Sequence, residues 1–205
     1  RCRFELNSYM KEQFQLFFAV NWNIKYLFNM NPWDTGVIPP EIVEIVEDCN
    51  LVPGSLLDVG CGSGTQSVYF AKHGFDVTGI DVASIAVLKA RRKAFKNKVD
   101  VRFINKEFTK SDFKTKFDTV LDVGCLHGFS NKKNDHYFVK LKNILSVRGS
   151  YLLYAWDIRD YNGKLCGVTS DDLAIKLGDG FVRRKLWKGE EHGRPAYWYW
   201  FVRRY

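Results

Sequence analysis

The sequence predicts an α/β protein with a doubly wound, mostly parallel seven-stranded sheet and an antiparallel C-terminal hairpin. Three observations carry this prediction. Short apolar runs alternate with helical patterns between residues 55 and 156, as expected when crossover helices connect parallel strands. The first apolar run ends in a glycine-rich turn that opens a helix. The last two runs, residues 181–187 and 196–203, have no helix between them and therefore predict a hairpin at the sheet edge.

The region before the first strand predicts two helices. Residues 9–30 are rich in aromatic side chains and read as one helix. Pro39 and Pro40 open another from residue 41 to residue 48, because proline suits the first helical turn. We predict that residues 1–48 form a helical cover over the mouth of the sheet. Residues 49–205 would form the core, and the whole chain a single domain.

The remaining elements have local start and stop signals. Gly74 stops the first crossover helix. Ser84 and Ser170 stand where they can cap the helices that follow them. The predicted strands before the hairpin are residues 55–60, 75–80, 99–104, 117–122 and 150–156, and the predicted crossover helices are residues 63–73, 84–96 and 134–145.

The composition excludes several classes of protein. Hydrophobic residues make up 46% of the chain and aromatic residues 16%, which argues against a disordered chain. No stretch of about 18 uncharged apolar residues is present, so the sequence predicts no membrane span and no membrane partner. No basic region is followed by a compact apolar one, so no signal peptide is predicted. Whether residues precede Arg1 is left open.

Cysteine usage indicates a reducing compartment. The chain has five cysteines, and none of them forms a Cys-x-x-Cys pair. An odd number without that spacing argues against a disulfide framework or a zinc site, so no metal site is predicted. We therefore expect a cytoplasmic protein.

The positive charge is concentrated in one stretch. Residues 89–116 contain 11 Lys or Arg and 3 Asp or Glu, an excess that equals the net charge of +8 of the whole chain. Such a stretch can attract nucleic acid or another anionic surface. It can also be the solvated face of one helix and its neighbouring loops, and this second interpretation is favoured.

The strongest functional signal is the run Leu56-Leu57-Asp58-Val59-Gly60-Cys61-Gly62-Ser63-Gly64. A buried strand enters a loop with glycine at every second position, and a helix N-terminus follows. This arrangement is typical of nucleotide cofactor sites in α/β folds. The third glycine comes one residue earlier than in the dinucleotide pattern, with Thr65 in its place. That spacing, and the acidic Asp58 within the strand, argue against a pyrophosphate; Asp58 can instead attract an ammonium group, directly or through water.

A second signal lies at the end of the next strand. Asp81, in the sequence Gly79-Ile80-Asp81-Val82, follows Gly60 by 21 residues. An acidic residue at this place can accept hydrogen bonds from both hydroxyls of a ribose. The sequence therefore predicts a nucleoside-containing cofactor that lies across the first two strands.

These residues resemble the class I S-adenosylmethionine (SAM)-dependent methyltransferases. LLDVGCGSG is similar to the first motif of the family and GIDV to its second, within a resemblance that spans residues 32–160. It implies SAM as the cofactor and S-adenosylhomocysteine as its product.

The same resemblance assigns individual contacts. It implies that the methionine part of SAM is lined by Gly60, Cys61, Gly62 and Gly64. Asp81 would hold the ribose and Val82 would lie against the adenine, with Glu107 at the place of the family's acidic residue near the adenine amine. Phe108, beside Glu107, and Gly124, after the fourth strand, complete the predicted cofactor site.

The acceptor side is predicted at the end of the fourth strand. The sequence there, from Asp118 to His127, lacks the Asp/Asn-Pro-Pro-aromatic motif typical of methyltransferases that act on base amino groups. A nucleic-acid substrate is therefore left open but not favoured. His127 is a candidate general base or a residue that orients the acceptor. Cys125 is interpreted as a small buried residue.

Upstream, the segment Pro32-Trp33-Asp34-Thr35-Gly36 resembles the small-molecule thiol and halide methyltransferases, and more loosely the thiopurine and tellurite-type enzymes. The resemblance implies that Trp33 packs at the cofactor, where an aromatic face also suits a sulfonium cation. Trp33 and His127 are thus the predicted catalytic residues, and a thiol, a halide or a phenol-like hydroxyl is the predicted acceptor.

Three alternatives to this function remain at the level of sequence. One is an RNA or protein methyltransferase that uses residues 89–116. Another is a SAM-binding module without catalysis, and the third is a nicotinamide oxidoreductase. The identity of the acceptor and the oligomeric state are left open.

Overall fold

The structure, a computed structural model, describes residues 19–48, 51–128, 131–161, 164–191 and 193–205. The first half of the predicted helix 9–30 therefore lies outside the described residues, as do Cys2 and Cys49. The helices are α1 (residues 19–27), α2 (Pro40–Glu47), α3 (Thr65–Lys72), α4 (Ser84–Asn97), α5 (Asn131–Ile144) and α6 (Ser170–Leu177), with 3-10 turns at Phe108–Lys110 and Leu126–Gly128. Among the described residues, no helix combines the length and the apolar composition needed to cross a bilayer.

The strands form one large sheet and one small one. They are β1 (Ser55–Val59), β2 (Asp76–Asp81), β3 (Arg102–Asn105), β4 (Phe117–Val123), β5 (Leu145–Trp156), β6 (Arg159–Tyr161), β7 (Lys164–Cys166), β8 (Phe181–Glu191) and β9 (Arg194–Arg203). The large sheet has the order β3-β2-β1-β4-β5-β9-β8, in which the first five strands are parallel and β9 is antiparallel to both neighbours. The predicted fold class is confirmed.

Parallel pairing brings the functional strand ends to one edge. Asp58 pairs with Gly79 and Leu121, while Asp122 pairs with Val59. The carboxyl ends of β1, β2, β4 and β5 therefore meet along the edge where α/β folds bind ligands. Because β9 runs in the opposite direction, its first residues lie at this same edge, beside the end of β5.

Helices cover both faces of the sheet. On one face, α5 and α6 bury Tyr137, Leu141 and Leu173 against the strands. On the other face, Ile42 of α2 and Phe70 of α3 pack with strand residues that include Leu56, Leu152 and Trp200. Of the predicted cover formed by residues 1–48, α2 thus belongs to the core layer, and α1 is the part that lies at the glycine loop.

Two predicted helix caps are wrong. The N-cap of α4 is Ala83, and the helix is instead capped from α1, where Asn23 Oδ1 accepts the backbone N–H of Ile85 at 2.9 Å. The helix α6 is capped by Thr169, one residue before Ser170, through a capping box with Asp172. Because the first cap comes from a residue 62 positions away in the chain, no local pattern at Ser84 could have revealed it.

Candidate active site

Asp81 is held at the end of β2 by two backbone amides. Its Oδ2 accepts the N–H of Gly62 at 3.0 Å, and its Oδ1 accepts the N–H of Ala83 at 2.7 Å. Burial raises the pKa of Asp81, and these backbone hydrogen bonds counteract the rise. An ionised carboxylate has about four acceptor sites, so each oxygen keeps capacity for a ribose hydroxyl.

Protein atoms crowd the glycines of the loop. Gly60, Gly62 and Gly64 all have left-handed backbone angles, with φ of +70°, +53° and +77°. A Cβ atom would lie 2.6 Å from Cys125 Cβ at the first position, 2.6 Å from the Tyr26 hydroxyl at the second and 2.8 Å from Ala90 Cβ at the third. At these positions the absence of a side chain allows close approach by the protein itself. That the loop backbone also lines the cofactor stays a prediction.

We expect alanine at two of these glycines to have different effects. Both substitutions force a left-handed residue, at a cost of about 1 kcal/mol or more. Gly64→Ala also meets the backbone of α4, since Ala90 Cα would lie at 3.2 Å, so it should destabilise the fold by about 2–3 kcal/mol. Gly62→Ala meets the end of the Tyr26 side chain and should mainly weaken cofactor binding. Urea unfolding and calorimetric titration of both variants check this; unchanged affinity in Gly62→Ala would contradict it.

Two further carboxylates are buried beside Asp81. Asp58 Oδ2 accepts the hydroxyl of Ser67 at 2.5 Å. Asp122 accepts the backbone N–H of Cys125 at 2.7 Å and the phenol of Tyr137, also at 2.7 Å. Burial raises the pKa of both Asp58 and Asp122 to about 7. Because three buried acidic groups lie close together, a ligand with positive charge would stabilise their ionised forms.

The N-terminal helix closes over the glycine loop through Tyr26. This side chain is 4% exposed, and burial raises the pKa of its phenol, which therefore stays neutral. Trp33 donates its indole N–H to the Tyr26 hydroxyl at 3.4 Å, while 45% of Trp33 is exposed at the rim. Lys25 Nζ lies 5.4 Å from the centroid of the Trp33 ring. Trp33 thus contacts the loop region by way of Tyr26, and its contact with the cofactor stays a prediction.

A polar connection ties the segment of residues 32–36 to the glycine loop and to α4. Asp34 Oδ1 accepts the hydroxyl of Ser63 at 2.7 Å. Lys93 donates to Ser63 Oγ at 2.7 Å and to Thr65 Oγ1 at 2.6 Å. The sequence interpretation treated Lys93 as part of a solvated basic stretch. It missed this role because the contact depends on how α4 packs against α3.

The residues of the predicted adenine side lie in different surroundings. Asn105 Nδ2 donates to the backbone carbonyls of Asp81 at 3.0 Å and Val82 at 2.9 Å, which fixes the chain beyond β2. Glu107 Oε1 accepts the hydroxyl of Thr109 at 2.8 Å. Phe108 is buried in the core, with its ring centroid 5.0 Å from that of Tyr137. The cofactor contacts of Val82, Glu107 and Phe108 remain predictions.

His127 connects the ends of β4 and β5. Its Nε2 accepts the backbone N–H of Trp156 at 2.8 Å, and its ring stacks on Trp156 with centroids 4.3 Å apart. Nε2 is thereby engaged as an acceptor, which in a neutral imidazole leaves the proton on Nδ1. Gly124 lies beside this ring, since a Cβ there would be 3.5 Å from Nδ1. The arrangement favours orientation over proton abstraction, the two roles predicted for His127.

Sequence reasoning missed an aromatic and acidic cluster next to His127. Glu191 accepts the phenol of Tyr154 at 2.9 Å and the indole N–H of Trp156. A cavity of about 250 Å³ begins directly after Trp156, and Asp157, Ile158, Arg194 and Pro195 line it. Pairing between β5 and the far-distant β9 creates this cluster, so no local sequence signal marks it.

Comparison with known proteins now identifies the family. A family profile described as a methyltransferase domain matches residues 56–149. An uncharacterized methyltransferase of Schizosaccharomyces pombe is 35% identical over 103 residues, which are 50% of this chain and 71% of that protein. The chain belongs to the class I SAM-dependent methyltransferases.

Two further similarities are informative for this methyltransferase. Thiocyanate methyltransferase 1 of Brassica oleracea is 24% identical over 166 residues, 77% of this chain and 72% of that protein. The solved 1,6-didemethyltoxoflavin-N1-methyltransferase of Burkholderia thailandensis superimposes with a TM-score of 0.79 over 100% of this chain and 94% of that one, at 19% identity. The second similarity shows the shared fold.

The cofactor of the methyltransferase is SAM, and the residues present fit it. SAM carries a sulfonium, an ammonium group and a ribose diol. Asp81 offers acceptors for the diol, and the buried Asp58 and Asp122 would provide negative charge for the cations once they ionise. These residues would hold and orient SAM at the carboxyl edge of β1 and β2.

We expect cofactor binding to depend on pH near neutrality. The folded pKa of Asp58, about 7, exceeds its ordinary value of 3.8, so the folded protein holds a proton that the unfolded chain loses. The free energy of unfolding therefore falls as pH rises from about 4 to about 7.

A cationic ligand favours the ionised carboxylate over the protonated form. Affinity for S-adenosylhomocysteine, which carries an ammonium group, should therefore rise up to about tenfold between about pH 6 and pH 8. Calorimetry in buffers of different ionisation enthalpy should detect proton release. If the Asp58→Asn and Asp122→Asn variants showed the same pH dependence of affinity as the parent protein, these two carboxyls would not be its source.

Proposed function

We propose that this methyltransferase acts on a small-molecule nucleophile, namely a thiol, a halide or a phenol-like hydroxyl. The observation that carries the proposal is the placement of Tyr26, which is 4% exposed and crowds the position of a Cβ on Gly62. A helix packed this closely on the glycine loop restricts access to the predicted cofactor side of the site. A nucleic-acid duplex or a folded protein would have to displace it.

The acceptor would bind where β5 ends. The cavity of about 250 Å³ after Trp156 has a suitable size for a small molecule. Arg194, which lines it, would favour the ionised form of a thiol or phenol, because a nearby opposite charge lowers the pKa of an acid. The stack of His127 on Trp156 lies next to this site in the chain, because Trp156 directly precedes the lining residue Asp157. The name of the Brassica relative, a thiocyanate methyltransferase, is compatible with a soft anionic acceptor.

The chemistry requires little from acidic or basic side chains. SAM supplies an electrophilic methyl group, and its departure as a neutral thioether needs no proton. The residues of this chain would therefore act by positioning and by exclusion of water. Asp81 would fix the ribose, Tyr26 would shield the loop from solvent, and His127 would set the orientation of β5 at the acceptor. We therefore keep the proposal that residues 1–48 contain a cover over the active site, and α1 would be the part that closes over the glycine loop.

We also propose a cytoplasmic location. Within the described ranges, Cys61, Cys125 and Cys166 are free thiols. Burial raises the pKa of Cys61 and of Cys125 well above the ordinary value, which keeps both thiols protonated and unreactive. These states are compatible with a reducing compartment.

A panel of acceptors tests the proposed function. Release of S-adenosylhomocysteine would be measured with thiols, iodide, phenols, quinols, RNA and a basic peptide. We expect turnover with a thiol, an iodide or a phenol. Trp33→Ala should lower it by about tenfold or more, since loss of the Tyr26 contact loosens the cover. Tyr205→Ala, which removes an aromatic ring that is 68% exposed beyond β9, is the control. Turnover with RNA or peptide alone would reject the small-molecule function, and none at all would favour a binding module.

A further inference from the structure

The solvent-facing side of α4 carries two exposed apolar side chains. Phe95 is 85% exposed and Leu88 is 47% exposed. They stand seven residues apart, about two helical turns, and so lie on one stripe of the helix. The opposite side is buried through Ala86, Ala90 and Ala94. Together the two side chains give the exposed side of α4 an apolar stripe.

Basic side chains surround this apolar stripe. Arg92 is exposed and lies between Leu88 and Phe95 on the same side of the helix, and Arg91 and Lys96 are exposed on its two flanks. The sequence of α4 contains no acidic residue. Nearby, Lys98 ends the helix and Arg102 is exposed on the edge strand β3. The surface, here called the α4 face, therefore combines an apolar centre with a mainly cationic rim, which also contains the exposed Asp100.

We propose that the α4 face docks on an anionic phospholipid surface. Phe95 and Leu88 would insert at the boundary between headgroups and acyl chains, and Arg91, Arg92 and Lys96 would contact the lipid phosphates. Insertion of apolar side chains and electrostatic attraction to anionic lipids are the two contributions that hold a protein surface at a membrane interface. A nucleic acid could stack a base on Phe95 but would leave Leu88 without a role. The pair of apolar residues therefore favours a bilayer.

The proposal revises one expectation from the sequence. The sequence predicted no membrane partner because it contains no spanning segment, but a helix that docks in the plane needs none. Only the structure shows that Phe95 and Leu88 face outward while the alanines of α4 face the core. The proposal is independent of the acceptor class, because none of its residues belongs to the cofactor or acceptor site.

Vesicle co-sedimentation tests the proposal. The full chain would be mixed with phosphatidylcholine vesicles, with and without about one third phosphatidylserine. We expect binding to the anionic vesicles that weakens strongly at about 0.5 M salt. Phe95→Ala should lower the partition coefficient about tenfold, and Arg92→Glu combined with Lys96→Glu should abolish binding. Ile175→Ala is the matched control: Ile175 is 77% exposed on α6, whose first turn contains Asp171 and Asp172, and its loss should leave binding unchanged.

Several outcomes would overturn the proposal. They include no binding to anionic vesicles, equal binding to neutral vesicles, and equal binding by the Phe95→Ala variant. A single-stranded RNA oligonucleotide that binds through Phe95, without vesicle binding, would reassign the α4 face to nucleic acid. All variants should stay folded, because the altered side chains are exposed and Lys96→Glu costs only about 1 kcal/mol or less at the C-terminal end of α4, and turnover of a water-soluble acceptor should not change.

Discussion

Asp81→Asn is expected to weaken SAM binding by at least about a hundredfold. The carboxylate accepts the N–H groups of Gly62 and Ala83, one on each oxygen, and its remaining lone pairs would accept the two ribose hydroxyls. Asparagine has one carbonyl oxygen, so its NH₂ group must face one of the backbone donors. The variant thereby loses charged acceptors for the ribose. It also loosens the contact that fixes the glycine loop to β2.

Calorimetric titration with SAM, together with urea unfolding, separates these two effects. We expect Asp81→Asn to lower the free energy of unfolding by about 1–3 kcal/mol, which still leaves a folded protein for titration. Asp76→Asn is the control, because Asp76 is an exposed aspartate at the opposite end of the same strand. Near-normal affinity in Asp81→Asn would place the cofactor elsewhere.

The sheet is predictable from sequence because its parallel strands are buried on both faces. Residues 56–59 of β1 are all buried, so the strand appears in the sequence as an apolar run that only Asp58 interrupts. The edge strand β3 was predicted at residues 99–104 but begins at Arg102, since an edge strand has a weaker apolar signal. The small sheet of β6 and β7 was missed because strands of three residues show no period.

The cofactor side of the site follows from local motifs, whereas the rest depends on contacts between distant segments. Asp81 and the glycine loop lie where the strand-turn-helix pattern puts them. Tyr26, Lys93 and Glu191 were missed because each acts on a residue at least 30 positions away in the chain. The prediction of a solvated basic stretch is wrong for Lys93, because this side chain is half-buried and desolvation by burial lowers its pKa.

Substitutions of His127 should separate a positioning role from general base catalysis. His127 Nε2 accepts the N–H of Trp156, so His127→Ala leaves that amide without this partner. We expect turnover to fall about tenfold to a hundredfold, as the loss of such a hydrogen bond displaces the acceptor site. Glutamine places a carbonyl oxygen near the position of Nε2. His127→Gln should therefore keep turnover within about tenfold of the parent and leave the acid limb of the pH–rate profile in place.

A general base would produce a different pattern. Both variants would then lose about 10² to 10⁴ in turnover, and the acid limb of kcat/KM would disappear with the imidazole. That outcome would reject the positioning role. Measurement of KM with the active acceptor adds a second criterion, because a displaced acceptor site should raise KM in His127→Ala and glutamine should restore it. Since the thiol and phenol acceptors proposed here ionise readily, we expect the positioning pattern.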